Sequence, residues 1–171
     1  MVKVIDNFLT KEDFIKLQYN LISNAGFPYY FQNAKDYPLG DKRNDKMLDQ
    51  FQFTHLFYDD SKENSDWFWV LKNILKKLKV SSLTKAKVNC NPYNVKLIQG
   101  GFHLDNNFKN NKTAVFYLNT CDGYTIFKKD KKIIYSIENR VILFNSNEFH
   151  AGTNTTNQKA RWVLNINYYE L

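Results

Sequence analysis

Arg161-Trp162-Val163-Leu164-Asn165-Ile166-Asn167 carries Arg, Val, Asn and Asn at odd positions and Trp, Leu and Ile at even ones. Successive side chains of an extended strand point to opposite faces, so this stretch predicts a strand with one largely polar and one apolar side. Two further stretches repeat the pattern. Thr113, Val115, Tyr117 and Asn119 alternate with Ala114, Phe116 and Leu118, and Lys85, Lys87, Asn89 and Asn91 alternate with Ala86, Val88 and Cys90. A half-buried sheet with its polar face in water would satisfy this alternation. Tyr117, Asn165 and Asn167 are large hydrogen-bonding groups suited to a pocket. They favour a jelly roll whose polar faces line a ligand cavity and whose apolar faces pack against helices.

Outward from these stretches the period stays at two from Thr84 onward. It predicts strands over 84–91, 95–103, 113–119, 123–128, 132–137, 140–145 and 160–169. Earlier in the chain the period is helical. Thr10 reads as an N-cap, and Phe14, Leu17, Leu21 and Ile22 predict a helix over 11–24 that ends before Gly26. Ser65 or Asp66 caps a second helix, with Trp67, Val70, Leu71, Ile74, Leu75 and Leu78 as its apolar stripe. Val2 to Ile5 and Phe51 to Tyr58 read as strands. The rest of Phe27 to Asp60, with Pro28, Pro38, Gly40 and a charged stretch from Asp41 to Asp49, reads as long loops. Strands following helices without βαβ alternation predict a mainly β, α+β chain. Its core is a double-stranded β-helix (jelly-roll or cupin-like), with the N-terminal helices packed outside. The 171 residues fit a single domain over 1–171, in which 1–80 supply helical support and loops and 84–169 the jelly-roll core.

With 43% hydrophobic and 16% aromatic residues the chain is a folded globule and not a disordered segment. A net charge of +7 favours acidic partners, nucleic acid among them. For Lys72, Lys76, Lys77 and Lys79, beside the second helix's apolar stripe, a solvated face is the simpler account. Cys90 and Cys121 form no CxxC and fit free thiols in a reducing compartment. The opening Met1-Val2-Lys3-Val4-Ile5-Asp6 is too short and polar for a signal peptide, and no apolar run approaches a membrane span. The expected location is the cytoplasm, with no membrane partner.

His103 and Asp105 are two residues apart, so on an extended segment both side chains point the same way while Leu104 points oppositely. His150 lies beyond several predicted strands, enough chain to circle a jelly roll and return beside them. Two imidazoles and one carboxylate with open positions form the facial triad that holds non-haem iron. The remaining histidine, His55, sits in an aromatic stretch without a carboxylate partner. Arg161 opens the last strand on its polar face. A buried guanidinium needs an anion, and its planar fork matches a carboxylate. Tyr117, on the polar face of another strand, is placed to donate to the same carboxylate.

Gly101-Phe102-His103-Leu104-Asp105, Thr113 to Asn119, Asp122-Gly123-Tyr124-Thr125-Ile126-Phe127 and the span from His150 to Arg161 resemble the iron(II) and 2-oxoglutarate-dependent dioxygenases of the prolyl-4-hydroxylase-like branch. The opening Val4-Ile5-Asp6-Asn7-Phe8-Leu9 also resembles small viral members, for which the location would be the host cytoplasm. The resemblance implies Fe(II) on His103, Asp105 and His150, with 2-oxoglutarate as co-substrate and its distal carboxylate on Arg161 and Tyr117. It further implies O2 as oxidant, ascorbate as reductant, and hydroxylation of a C–H bond with release of succinate and CO2. The substrate it implies is a protein or peptide; oxidative demethylation of nucleic acid is the alternative that the charge suits. A non-enzymatic basic module is the reading from a different class. Asn89 and Asn165 are the further candidates for the co-substrate pocket, where Asn89, Asn91 and Tyr93 compete for one position. The family often has Gly-Gly before its central strand, where this chain has Asp122-Gly123.

Overall fold

The computed structural model describes residues 2–33 and 48–171, so the loops expected over 34–47, with Pro38, Gly40 and most of the charged stretch, lie outside the described residues. Strand β11 (Ala160–Glu170) lies at the centre of the larger sheet, antiparallel to β5 (Val80–Pro92) on one side and β6 (Lys112–Tyr117) on the other. Beyond β6 come β9 (Arg140–Asn145) and β1 (Lys3–Ile5); beyond β5 come β3 (Gln52–Asp59), β2 (Tyr30–Gln32) and the short β4 (Lys62–Glu63). A second, three-stranded sheet is built from β10 (His150–Gly152), β7 (Tyr124–Phe127) and β8 (Ile133–Tyr135).

The alternation read from β11 sorts the interior. Leu164 and Ile166, with Ala114, Phe116, Ala86 and Val88 of the flanking strands, face an apolar core. That core is closed by Phe14 and Leu17 of α1 (Lys11–Gln18) and Ile74 of α2 (Lys72–Lys77). The opposite face looks toward the second sheet. There a smaller cluster of Val115, Tyr117, Phe127, Ile134, Ile142, Phe144 and Val163 fills one part of the gap. The remainder is lined by Lys85, Lys87, Asn89, Asn91, Arg161, Asn165 and Asn167, so the polar sides of β5 and β11 face a cavity and not bulk water. This is the expected jelly roll with helices outside.

Some elements differ from expectation. Residues 95–103 form no strand. Only Gln99 and His103 pair with the second sheet, at Thr153 and His150, because Gly100-Gly101 interrupts the run and Asn154 Oδ1 takes the Ile98 amide. The first helix leaves α geometry after Gln18 and continues as a π-helical turn over Tyr19–Ser23, where Asn20 Nδ2 donates to the Lys16 carbonyl (2.8 Å) in competition with the helical pattern. The second begins as a 3-10 turn (Phe68–Leu71) before α2. The 132–137 strand shortens to β8, and β2, β4 and β10 were not foreseen. No helix among the described residues is long and apolar enough to cross a membrane.

His55 pairs with Val88 in the β3–β5 register and therefore lies on the helix side of the sheet, away from the cavity. It is 3% exposed, with Nδ1 2.7 Å from the Pro28 carbonyl and Nε2 2.6 Å from Ser65 Oγ. Burial lowers its pKa from 6.5, against the opposing pull of the Pro28 carbonyl. The unfolded chain thus takes up this proton first. The stability so gained is present above the unfolded pKa and is lost as pH falls below it toward the folded one. Melting of the metal-free protein should be flat above about pH 7 and decline below about pH 6.5. His55→Gln should remove part of that decline in a thermal-melt series across pH.

Candidate metal centre

His103 and His150 face each other as a two-bond backbone pair, each amide donating to the other's carbonyl at 2.9 Å. Their ring centroids are 4.6 Å apart. Each ring is fixed through Nδ1, at 3.1 Å from the Gly101 carbonyl for His103 and 3.0 Å from the Glu148 carbonyl for His150. A carbonyl only accepts, so Nδ1 carries the proton and the Nε2 lone pair is left for a metal. His150 is 3% exposed, and burial lowers its pKa, with Asp105 opposing; the ring is neutral at neutral pH, as a ligand must be.

Asp105 completes the set. Its Oδ2 accepts from Thr113 Oγ1 (2.5 Å) and Asn167 Nδ2 (2.9 Å), while Oδ1 lies 3.9 Å from His150 Nε2. The Asp105 amide donates to the Ser146 carbonyl (3.0 Å), fixing the backbone as well. One ligand atom from each of the three residues lies within 4.8 Å of the others. Two imidazoles with anchored far nitrogens and a carboxylate with one oxygen unspent suit a divalent first-row metal, and the donors on one side leave the cavity side open.

Arg161 lies in the same cavity, 3% exposed. Nε donates to Ser136 Oγ (2.7 Å), Nη1 to the Thr153 carbonyl (3.1 Å) and Nη2 to Thr125 Oγ1 (3.1 Å). All three partners are neutral, and no carboxylate pairs with it among the described residues. Burial presses its pKa down, but a guanidinium stays cationic. A buried cation without an anion is costly, and its remaining N–H groups are available to a ligand.

Glycines make room for this side chain. A Cβ on Gly123 would stand 2.4 Å from the Asn154 carbonyl and 2.5 Å from Arg161 Cδ, and one on Gly152 would stand 3.2 Å from Nη1. The single glycine of Asp122-Gly123 is therefore the one that Arg161 requires. Gly123→Ala should displace the guanidinium and lower the melting temperature; an unchanged thermal melt would show that Arg161 is not held from this side.

The other candidates divide. Asn89 and Asn165 line the cavity, and the Oδ1 of each is buried without a hydrogen-bond partner. Asn91 also lines it, whereas Tyr93 is 52% exposed and lies outside. Tyr117 is fully buried but is not among the cavity-lining side chains. Its hydroxyl donates to Thr125 Oγ1 (2.9 Å), which also accepts from Arg161, and the guanidinium carbon lies 5.3 Å from its ring centroid. In this structure Tyr117 thus braces Arg161. Asn167, read from sequence as suited to a pocket, supports Asp105 together with Thr113; Thr113, and Lys87 and Gln52 in the cavity wall, are not among the site residues read from sequence, although the alternation of β5 places Lys87 on the inner face.

No protein-family model and no curated protein sequence matches this chain. Solved structures do. The viral collagen prolyl hydroxylase from Paramecium bursaria Chlorella virus-1, in its 2OG complex, superposes with a TM-score of 0.61 at 15% identity, over 99% of this chain and 96% of that one. A prolyl hydroxylase from Trichoplax adhaerens, in complex with a hypoxia inducible factor oxygen degradation domain peptide fragment, gives 0.59 at 16% identity over 99% and 83%. The alpha-ketoglutarate-dependent non-heme epimerase SnoN of nogalamycin biosynthesis gives 0.64 at 11% identity over 99% and 77%. The chain has the jelly-roll fold of the 2OG-Fe(II) oxygenases, prolyl hydroxylases among them.

Proposed function

We propose that this protein is an Fe(II)- and 2-oxoglutarate-dependent dioxygenase that hydroxylates a C–H bond of a protein or peptide, with prolyl hydroxylation the favoured reaction. The observation that carries the reading is the sharing of one cavity by the His103–Asp105–His150 set and an Arg161 guanidinium that lacks an anion among the described residues. The fold neighbours support it, two of them being prolyl hydroxylases and one of these bound to a peptide.

In this reading His103, Asp105 and His150 hold the metal through Nε2, Oδ1 and Nε2. Arg161, braced by Tyr117 and Thr125, takes the distal carboxylate of 2-oxoglutarate. The amide nitrogens of Asn89 and Asn165 are placed to donate to the co-substrate. Val115 and Val163 form an apolar part of the wall and limit water there. Bound at this site, Fe(II) would supply the reaction of O2 with 2-oxoglutarate that yields succinate, CO2 and a hydroxylated substrate.

The test is succinate release by the purified chain. With Fe(II), 2-oxoglutarate and ascorbate to keep the metal reduced, slow uncoupled succinate formation should appear and should stop on chelation. Mass spectrometry on a peptide library should then find a gain of one oxygen, on proline-containing members first. Succinate formation indifferent to Fe(II) would remove the assignment, and oxidation confined to oligonucleotides would move the substrate to the alternative.

A further inference from the structure

Strand β5 brings a second cation into the same cavity. Lys85 and Lys87 both face inward, but Lys85 Nζ lies 2.6 Å from Asp59 Oδ2 and is neutralised there. Lys87 has no hydrogen bond or ion pair among the described residues. Burial and the neighbouring Lys85 lower its pKa, and Asp105 and Asp59 pull the other way. Asp105 does not answer it as an ion pair: its Oδ2 is taken by Thr113 and Asn167, and its Oδ1 faces His150.

An ammonium without an ion-pair partner in a cavity wall is costly, and an anion lowers the cost. Arg161 and Lys87 are separate seats for such anions. In the β11–β5 register Arg161 pairs with Asn91 and Lys87 with Asn165, four residues along each strand, or roughly 13 Å of backbone.

One other feature describes the ligand. The turn between β7 and β8 presents Lys128, Lys129, Lys131 and Lys132 against a single Asp130. Lys128 Nζ lies 5.1 Å from the ring of Phe149, and Lys131 Nζ lies 5.3 Å from that of Phe102, the residues immediately before His150 and His103. A cationic tip thus stands beside both histidine segments, where it would draw in negative charge.

We propose that the site takes an acidic peptide, with an Asp or Glu carboxylate seated on Lys87. The proposal rests on the dioxygenase reading for what then happens to the peptide, but not for its binding. Lys87 is the specificity-determining residue.

The experiment is fluorescence anisotropy of labelled proline-containing peptides in matched pairs, Asp or Glu against Asn or Gln, with the full chain, both metal-free and with Mn(II) and 2-oxoglutarate. Wild type should bind the acidic member at least about tenfold more tightly, as a charge-assisted hydrogen bond supplies. Lys87→Met should abolish that preference, and Lys87→Arg should keep most of it. Lys128→Ala with Lys131→Ala should weaken all acidic peptides in a salt-dependent way. Lys87→Met should melt no lower than wild type, because it removes a lone buried charge. An acidic preference surviving in Lys87→Met, or a change confined to the 2-oxoglutarate requirement, would overturn the proposal. So would tighter binding of free glutamate or of an oligonucleotide than of the acidic peptides. Lysine-dependent peptide binding without any succinate formation would instead leave this inference standing and remove the dioxygenase reading.

Discussion

Asp105→Asn should lower Mn(II) or Fe(II) affinity and succinate formation by roughly a thousandfold each, while the metal-free variant melts within a few degrees of wild type. The two halves of this expectation come from the two oxygens of one carboxylate. Oδ2 accepts from Thr113 and Asn167, and the carbonyl of an asparagine can accept both bonds, so the loop stays in place. Oδ1 lies 3.9 Å from His150 Nε2 with nothing else to do, and there the substitution puts an NH2 group. That group cannot ligate a cation, and it points a donor at the lone pair that His150 would give the metal. Asp105→Ala is the less informative variant, because it also removes the acceptor that Thr113 and Asn167 share. Asn167→Ala and Thr113→Val should each cost about 10- to 100-fold in metal affinity by loosening the carboxylate. Isothermal titration with Mn(II) reads these effects without turnover. Wild-type metal affinity in Asp105→Asn would show that the three residues converge for another reason.

How much of this was legible in the chain depends on whether each residue's role is local. The alternation in Arg161–Asn167 and Lys85–Asn91 was readable because those strands are two-faced: one side meets the α1 and α2 core and the other meets the cavity. His103 and Asp105 were readable as a pair because the i, i+2 spacing already gives them one direction. The short strands β2, β4 and β10 span two or three residues each, too few for a period to show. The strand expected over 95–103 failed because alternation says nothing about whether a partner strand is continuous, and here only isolated bridges form, at Gln99 and His103. Depth was invisible as well. Tyr117 points inward as its parity requires, yet it ends against Thr125 and Arg161 and stops short of the cavity. Lys85 and Lys87 look alike in sequence. What separates them is Asp59, brought to Lys85 from β3, and a bulge between Leu56 and Tyr58 shifts that strand's register just before it.

Arg161→Met should raise the 2-oxoglutarate concentration needed for half-maximal succinate formation by about 30-fold to several thousandfold, with a much smaller change in kcat. The size follows from burial: at 3% exposure the guanidinium meets a carboxylate with little competing water, so the paired ion is strongly favoured over the unpaired one. The split follows from distance along the co-substrate, because in the proposed reading Arg161 holds the end that does not react and contributes to ground state and transition state alike. Arg161→Lys should recover only part of the loss. A lysine restores the charge but cannot donate at once to Ser136, Thr125 and the Thr153 carbonyl and still reach a carboxylate. Stability gives a second readout. Arg161→Met removes a buried charge but strands the groups it served, so the metal-free melting temperature should fall modestly. In wild type, by contrast, 2-oxoglutarate with Mn(II) should raise the melting temperature, since a ligand at a hundred times its Kd stabilises by about 2.7 kcal/mol. That increment should vanish in Arg161→Met at the same concentrations. A variant that kept both the increment and the wild-type requirement would mean that the acid sits elsewhere, with Lys87 the next seat to test.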